Sequence, residues 1–156
     1  MKKDITFHYT NEQMVKDLMK LIPFEKDDIV LDAGSGKNKV WQKNCPVKCL
    51  ECEIEDGCDF FKWKQRVDWV IGNPSYHQSW QFTEKAISIT NKGIGWLVNN
   101  QALNSHLTPR RLDLLKKNGF QYTKIHIVAD KRWFGRYYFI LLEKKKGVLS
   151  WERKTY

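Results

Sequence analysis

The sequence feature that most constrains the fold is a buried-strand pattern that ends in a polar tetrapeptide. The run from Val67 to Gly72 is mostly apolar, with β-branched residues, which is typical of a buried strand. Asn73-Pro74-Ser75-Tyr76 follows it directly. Open α/β sheets bind their ligands at the carboxyl ends of strands, so this tetrapeptide is a candidate functional loop. Taken alone, it fits an ordinary β-turn better, because Asn-Pro is common turn chemistry.

A second strand with a polar loop lies upstream and favours the functional interpretation. Residues 28–32 have the pattern of a strand, and Asp32-Ala33-Gly34-Ser35-Gly36 forms a glycine loop at its end. The glycines permit a close backbone approach that a Cβ would block. Glu53 ends the next predicted strand about 20 residues further on, where an acidic side chain is placed to accept hydrogen bonds from ribose hydroxyls.

Together the two loops resemble those of the class I S-adenosylmethionine-dependent methyltransferases, specifically the amino-methylating branch. That branch carries a D-x-G-x-G loop after its first strand and N-P-P-[YF] after its fourth. The chain matches at Asp32, Gly34 and Gly36, and it is similar in its compactness to the small phage DNA adenine-N6 methylases. Ser75 stands where the family motif has its second proline, which is a departure from the pattern.

The resemblance implies a Rossmann-like α/β methyltransferase fold with a mostly parallel sheet. In the family's numbering the expected strand order is 2-1-4-5-7-6, with the third strand lost, the edge shortened and the last strand antiparallel. The remaining elements come from hydrophobic periodicity and from cap residues. They comprise a helix after Asn11, a helix over 38–44 with Asn38 in the left-handed region, helices over 78–91 and 109–117, and strands over 47–54, 94–98, 122–129 and 136–143.

The resemblance also implies roles for the motif residues. The side-chain carbonyl of Asn73 and the backbone carbonyl of Pro74 would accept the protons of a target amine, and Tyr76 would stack on the base. The expected S-adenosylmethionine site comprises Thr10, Asp32, Gly34, Gly36, Glu53, Asp59 and Phe60. Two of these, Thr10 and Asp59, have a structural alternative, since Phe7 to Thr10 also fits a hydrophobic staple and Asp59 an ordinary turn.

Net charge points to the substrate class. The formal charge is +9, and aromatic residues make up 13% of the chain, a combination that suits a nucleic-acid partner, with DNA expected before RNA. Lys131, Arg132 and Trp133 lie in a predicted hairpin connection, where basic and aromatic side chains suit a flipped or single-stranded base. The alternative is that Trp133 packs under the sheet edge.

Length and hydropathy predict one cytoplasmic domain, over residues 1–156, and the resemblance implies that this is a methyltransferase domain. The 156 residues leave no room for a separate target-recognition domain. We expect neither a membrane span nor a signal peptide, because the sequence has no long apolar run.

The four cysteines are candidate ligands for a zinc ion. Cys45, Cys49, Cys52 and Cys58 fall within a short segment, but their spacing differs from the paired C-x2-C pattern of zinc sites. Reduced thiols are therefore expected.

Two other functions remain open at the level of sequence. One is a methyltransferase that acts on RNA or on a protein glutamine, and the other is a non-catalytic nucleic-acid-binding or inhibitory module. The joint presence of Asp32, Glu53 and Asn73 favours an enzyme, because a binding module would tolerate their loss.

Overall fold

The chain folds around one six-stranded sheet with helices on both faces. The computed structural model describes residues 10–130 and 135–145. The strands are β1 Ile29–Ala33, β2 Lys48–Cys52, β3 Val67–Gly72, β4 Thr90–Asn99, β5 Gln121–Val128 and β6 Tyr137–Glu143. The helices are α1 Glu12–Met19, α2 Val40–Asn44, α3 Ser79–Ile89, α4 Asn100–His106 and α5 Pro109–Lys117.

The sheet order is β2-β1-β3-β4-β6-β5. Strands β1 to β4 pair in parallel, whereas β6 is antiparallel to both of its neighbours, β4 and β5. This is the order expected for the methyltransferase fold when its third strand is missing. The predicted fold class is therefore confirmed.

Each face of the sheet has its own hydrophobic core. On one face α1 and α2 cover side chains of the central strands, among them Val30, Trp69 and Ile71. On the other face α3, α4 and α5 pack over Leu31, Val70 and Trp96, with further side chains from β6. The two layers support the carboxyl ends of β1 and β3, where the predicted loops lie.

Several element boundaries differ from those predicted. Helix α3 ends at Ile89 instead of Asn91, and β4 begins at once at Thr90. The Thr90 hydroxyl donates to Ala86 O at 2.5 Å and so satisfies a carbonyl of the last helical turn. Gly93 lies within β4, where an added Cβ would come within 2.4 Å of the Trp69 ring. Close packing therefore extends the strand through a residue that sequence preference disfavours.

Helix α4 was not predicted. Its sequence is polar and carries little apolar periodicity, so hydrophobic pattern alone gives no signal. The Asn99 side chain caps it by accepting a hydrogen bond from Ala102 N at 2.9 Å. An asparagine at the end of an apolar strand was the one available clue.

The residue in the left-handed region is Lys39, and not Asn38 as expected. Lys39 has φ 50° and ψ 40° and precedes α2, which starts at Val40 instead of Asn38. Its ammonium lies 2.7 Å from Glu51 and 3.6 Å from Asp56. These ion pairs outweigh the intrinsic preference of asparagine for that conformation.

Among the described residues, no helix is long and apolar enough to cross a membrane.

Candidate functional site

The glycine loop after β1 is fastened to the end of β2. Gly34 N and Ser35 N both donate to Cys52 O, at 2.8 and 3.2 Å. Gly34 and Gly36 have φ of 73° and 65°, a region that side chains with a Cβ rarely adopt. The loop therefore turns back sharply across the carboxyl ends of two parallel strands, the edge at which open α/β sheets bind their ligands.

Glu53 connects this loop to the segment that follows β2. One carboxylate oxygen accepts from Gly36 N at 2.6 Å and the other from Glu55 N at 3.3 Å. Glu53 thus braces the glycine loop, a role that sequence spacing did not indicate. Its side chain also lines the cavity beside the loop.

The cavity brings together five of the predicted site residues. It has a volume of about 370 Å³, within the usual range for a small-molecule site. The predicted residues in its wall are Thr10, Gly34, Gly36, Glu53 and Asn73. The remaining lining residues were not singled out in the sequence: Ser35, Lys37, Asn38, Val40, Trp41 and Glu55.

Three polar atoms in the cavity-lining residues are buried without a hydrogen bond. Within the described residues, Ser35 Oγ, Trp41 Nε1 and Asn73 Oδ1 have no protein partner. A buried polar atom without a partner costs roughly 1–3 kcal/mol, so such atoms are few in native proteins. Their concentration at one cavity indicates a ligand site with both donors and an acceptor.

Gly72 allows the motif loop to leave β3 beside the glycine loop. Its φ is 146°, and an added Cβ would lie 2.8 Å from Ala33 O and 3.5 Å from Asp32 Oδ1. No other residue fits there without moving β1. Asn73 is therefore held next to the end of β1 by close backbone packing.

Asp32 lies beneath the cavity and does not line it. Its side chain is fully buried; Oδ2 accepts from Gln42 N at 3.1 Å, while Oδ1 has no partner among the described residues. Burial raises the pKa of Asp32 to about 7, although the Gln42 N–H opposes the rise and Glu51 and Glu53 add to it.

Tyr76 is half-buried beside a second tyrosine. It begins a 3-10 turn, Tyr76–Gln78, and its ring centroid lies 6.2 Å from that of Tyr137 at the start of β6. Burial, together with Tyr137, raises the pKa of the Tyr76 phenol to about 12, so the phenol stays protonated at neutral pH. The tyrosine partner was not foreseen, because it depends on the register of β6 on β4, which sets Tyr137 opposite Asn99.

Asp59 and Phe60 lie outside the cavity wall. Asp59 caps a short 3-10 turn, accepting from Phe61 N at 2.9 Å. Phe60 is buried and stacks on Phe82 with ring centroids 5.0 Å apart. Phe82 in turn comes within 3.9 Å of the Cβ position at Gly34, so this aromatic pair abuts the glycine loop. Lys131, Arg132 and Trp133, like Phe7, lie outside the described residues.

The cysteines are not all reduced, contrary to expectation. Cys52 and Cys58 form a disulfide that closes the segment carrying Glu53. The short turn between them brings their Cα atoms to 5.1 Å, a separation that a disulfide spans readily. Cys45 and Cys49 remain free, and their mutual hydrogen bond lowers the pKa of Cys45. Among the described residues, no group of three or more His, Cys, Asp or Glu could hold a metal ion.

One further buried titratable group lies near the motif. His106 ends α4 and is fully buried, with Nε2 3.2 Å from Ser79 Oγ. Burial and then the nearby charge of Arg111 lower the pKa of His106 to about 4. The imidazole is therefore neutral at pH 7.

Asp32 and His106 are expected to make opposite contributions to the pH dependence of stability. Unfolded histidine binds a proton below its usual pKa of 6.5, whereas folded His106 does not until about pH 4, so acid favours unfolding. As the pH falls, folded Asp32 takes up a proton at about pH 7, whereas the unfolded side chain does so only at about pH 3.8. Acid therefore favours folding at this residue. Each effect amounts to roughly 3–4 kcal/mol.

Urea unfolding between pH 4 and pH 7 measures both contributions. The free energy of unfolding of wild type minus that of Asp32→Asn should rise as the pH falls through this range. The same difference for His106→Gln should fall below pH 6.5. Slopes of the same sign would contradict these burial effects.

Comparisons with known proteins support the fold. Neither a protein-family model nor a curated protein sequence matches the chain. The 23S rRNA methyltransferase ErmE is similar in structure, with a TM-score of 0.70 at 12% identity, over 88% of this chain and 70% of that one. A dimethyladenosine transferase from Plasmodium falciparum gives 0.65 at 14% identity, over 86% of this chain and 61% of that one.

A third similar structure contains bound S-adenosylmethionine. Magnesium protoporphyrin IX methyltransferase from Synechocystis PCC 6803 has a TM-score of 0.61 at 10% identity, over 86% of this chain and 79% of that one. At these identities the likeness shows the methyltransferase fold. A shared fold does not determine function, which depends on the residues of the site.

Proposed function

We propose that the chain transfers a methyl group from S-adenosylmethionine to an exocyclic amino group of a nucleic-acid base. The observation that carries the proposal is Asn73 Oδ1, a buried acceptor without a hydrogen-bond partner among the described residues. Asn73 lines the same cavity as the glycine loop and Glu53. An acceptor held ready beside a nucleotide-type site suits an amine substrate.

The residues around the cavity fit the cofactor. S-adenosylmethionine carries one net positive charge at neutral pH, and the charged lining residues are Glu53, Glu55 and Lys37, which are net negative. Glu53 would accept from the ribose hydroxyls, and the backbone of Gly34 and Gly36 would lie against the cofactor. The unpaired Ser35 hydroxyl and Trp41 N–H are donors suited to its carboxylate.

Asp32, Thr10, Asp59 and Phe60 complete the proposed cofactor site. Asp32 would support the glycine loop from below, and Thr10 would close the cavity from the N-terminal side. Asp59 would contact the adenine end, and Phe60 would do so as one member of the aromatic pair that abuts Gly34.

The motif residues would orient and activate the amine. When bound, S-adenosylmethionine supplies a methyl group on a positively charged sulfur: as the amine nitrogen bonds to this methyl carbon the carbon–sulfur bond would break, S-adenosylhomocysteine would leave, and one amine proton would pass to solvent. An exocyclic amine is a weak nucleophile because its lone pair is delocalised into the ring. If Asn73 Oδ1 and the Pro74 carbonyl accept its two protons, a pyramidal nitrogen with an available lone pair is favoured. Tyr76 would stack on the base and hold it, and such positioning supplies up to about 7–11 kcal/mol.

Nucleic acid is the proposed substrate because of charge and geometry. The chain carries a net charge of +9, and Tyr76 with Tyr137 forms an aromatic pair beside Asn73. Adenine N6 is the proposed target, in DNA or in RNA; one of the similar structures is named a 23S rRNA methyltransferase and another a dimethyladenosine transferase. In a duplex the base must first be flipped out, at a cost of a few kcal/mol.

We expect nucleic-acid binding to depend steeply on salt. Because the charge of +9 would supply much of the affinity, lysine and arginine contacts to phosphate would release counterions. A plot of log affinity against log salt should have a negative slope of several units. Fluorescence anisotropy with oligonucleotides of unrelated sequence measures this slope. An affinity that does not change with salt concentration would contradict an electrostatic binding mode.

Nucleoside mass spectrometry tests the proposed function. Unmethylated DNA and RNA are each incubated with the protein and deuterium-labelled S-adenosylmethionine and then digested to nucleosides. The proposal predicts label on N6 of adenine in at least one polymer, and at early time points about a hundredfold less label with the Asn73→Ala protein. Label on a carbon, an oxygen or a ring nitrogen would overturn the amino-group assignment. No label in either polymer would overturn the nucleic-acid substrate.

A further inference from the structure

The turn that carries Tyr76 is fastened to α4 by a buried hydrogen-bond chain. Ser79, the first residue of α3, is 2% exposed, and its Oγ donates to Tyr76 O at 3.2 Å. His106 Nε2 lies 3.2 Å from the same Oγ. The hydrogen-bond chain therefore runs from His106 at the end of α4, through Ser79, to the backbone of Tyr76.

The single proton of the Ser79 hydroxyl fixes which group donates in each hydrogen bond. A serine hydroxyl has one proton, and the Ser79 proton is used toward Tyr76 O. Ser79 Oγ must then accept from His106, which places the imidazole proton on Nε2. Nδ1 is left as a lone pair, and it has no partner among the described residues. A buried acceptor without a partner is better tolerated than a buried N–H without one.

The surroundings keep His106 in place and away from water. Trp80 packs edge-on against the imidazole, with ring centroids 5.4 Å apart. Arg111 lies over the Trp80 ring at 4.9 Å and donates to Ser105 O at 2.7 Å. His106 itself is fully buried. These contacts leave His106 little freedom, so it can hold Ser79 in one rotamer.

We infer that Ser79 and His106 are positioning residues that set the orientation of Tyr76 for base stacking. The inference rests on the proposed function, which gives Tyr76 its contact with the base. The phenol end of Tyr76 meets Tyr137, and its backbone end is held by Ser79. With both ends held, the ring is presented in one orientation. Neither Ser79 nor His106 lines the cofactor cavity, so their effect should be confined to the base.

Variants of both residues, with a matched control, test the inference. Ser79→Ala and His106→Leu break the hydrogen-bond chain, whereas His106→Gln retains an N–H donor. Thr90→Val is the control, since it removes a buried hydroxyl at the far end of α3 that donates only to Ala86 O. Each protein is assayed for single-turnover methyl transfer, for S-adenosylmethionine affinity and for the NMR signals of its labelled tyrosine rings.

We expect single-turnover transfer to fall about five- to tenfold in Ser79→Ala and His106→Leu, the range for loss of one hydrogen bond. His106→Gln should regain most of that rate, and cofactor affinity should stay within about threefold throughout. The inference is overturned if Ser79→Ala transfers at the wild-type rate, if His106→Gln falls as far as His106→Leu, or if Thr90→Val matches the other variants.

The NMR measurement separates this inference from the proposed function. The Tyr76 ring signal, identified by its loss in Tyr76→Phe, should shift in Ser79→Ala and His106→Leu but not in Thr90→Val. This shift is expected whether or not the wild-type protein transfers methyl groups. An inactive wild-type protein would therefore overturn the proposed function and leave the positioning role standing. An unmoved Tyr76 signal, or a nitrogen spectrum with the His106 proton on Nδ1, overturns the positioning role.

Discussion

The Asn73→Ala protein is expected to transfer methyl groups about a hundredfold or more slowly than wild type, the effect of removing one preorganised polar contact to a transition state. Asn73 Oδ1 is buried and lacks a partner among the described residues, so its loss removes an acceptor reserved for the substrate. Cofactor affinity should change by only a few-fold, because Glu53 and the glycine loop remain. Single-turnover rates and cofactor titrations together measure this separation.

Stability measurements distinguish this role from that of a structural turn residue. If Asn73 only shapes the turn after β3, Asn73→Ala should lower the melting temperature and leave the rate per folded molecule unchanged. Asn118→Ala is a matched control, since that side chain is exposed and caps the end of α5. An unchanged single-turnover rate in folded Asn73→Ala would remove the catalytic role.

The Glu53→Ala protein is expected to bind S-adenosylmethionine about a hundredfold more weakly. Two ribose hydroxyls would lose a charged acceptor, and a hydrogen bond to a charged group contributes about 1.5–3 kcal/mol. The same substitution also releases Gly36 N, which Glu53 holds at 2.6 Å. Isothermal titration calorimetry measures the affinity directly.

Glu53→Gln separates the two effects. The amide keeps an oxygen for Gly36 N but loses the negative charge, so its affinity should lie between those of wild type and Glu53→Ala. Glu12→Ala, which removes an exposed acid of α1 that pairs with Lys16, should bind like wild type. Equal affinity in wild type and Glu53→Ala would contradict the assignment of the ribose contact.

The sequence predicted those parts of the fold that depend on local pattern. The strand Val67–Gly72 and the helix Pro109–Lys117 have the bounds that apolar runs, the proline at the helix start and the following Asn118-Gly119 indicate. Asp32, Gly34 and Gly36 lie at the end of β1 because glycine chemistry dictates a sharp turn there. These features are encoded within a few neighbouring residues.

Contacts between elements distant in sequence determine the features of the fold and of the site that the sequence did not predict. Trp41 reaches the cavity because α2 packs on the sheet, and Tyr137 meets Tyr76 because the register of β6 on β4 sets Tyr137 opposite Asn99. Helix α4 forms on a polar sequence because Ala102 and His106 are buried in the fold, in addition to the local Asn99 cap. The left-handed Lys39 depends on carboxylates of the β2 region. Such long-range contacts leave no trace in the periodicity of one segment.

Titration of wild-type protein with S-adenosylmethionine in a calorimeter tests the proposed cofactor site most directly. We predict saturable binding to one site. The melting temperature should also rise, because a ligand bound only by the native state stabilises it by about 2.7 kcal/mol at a hundred times its Kd. S-adenosylhomocysteine should bind at the same site and compete. No heat of binding and no change in melting temperature with either compound would contradict the proposal that this cavity holds a methyl donor.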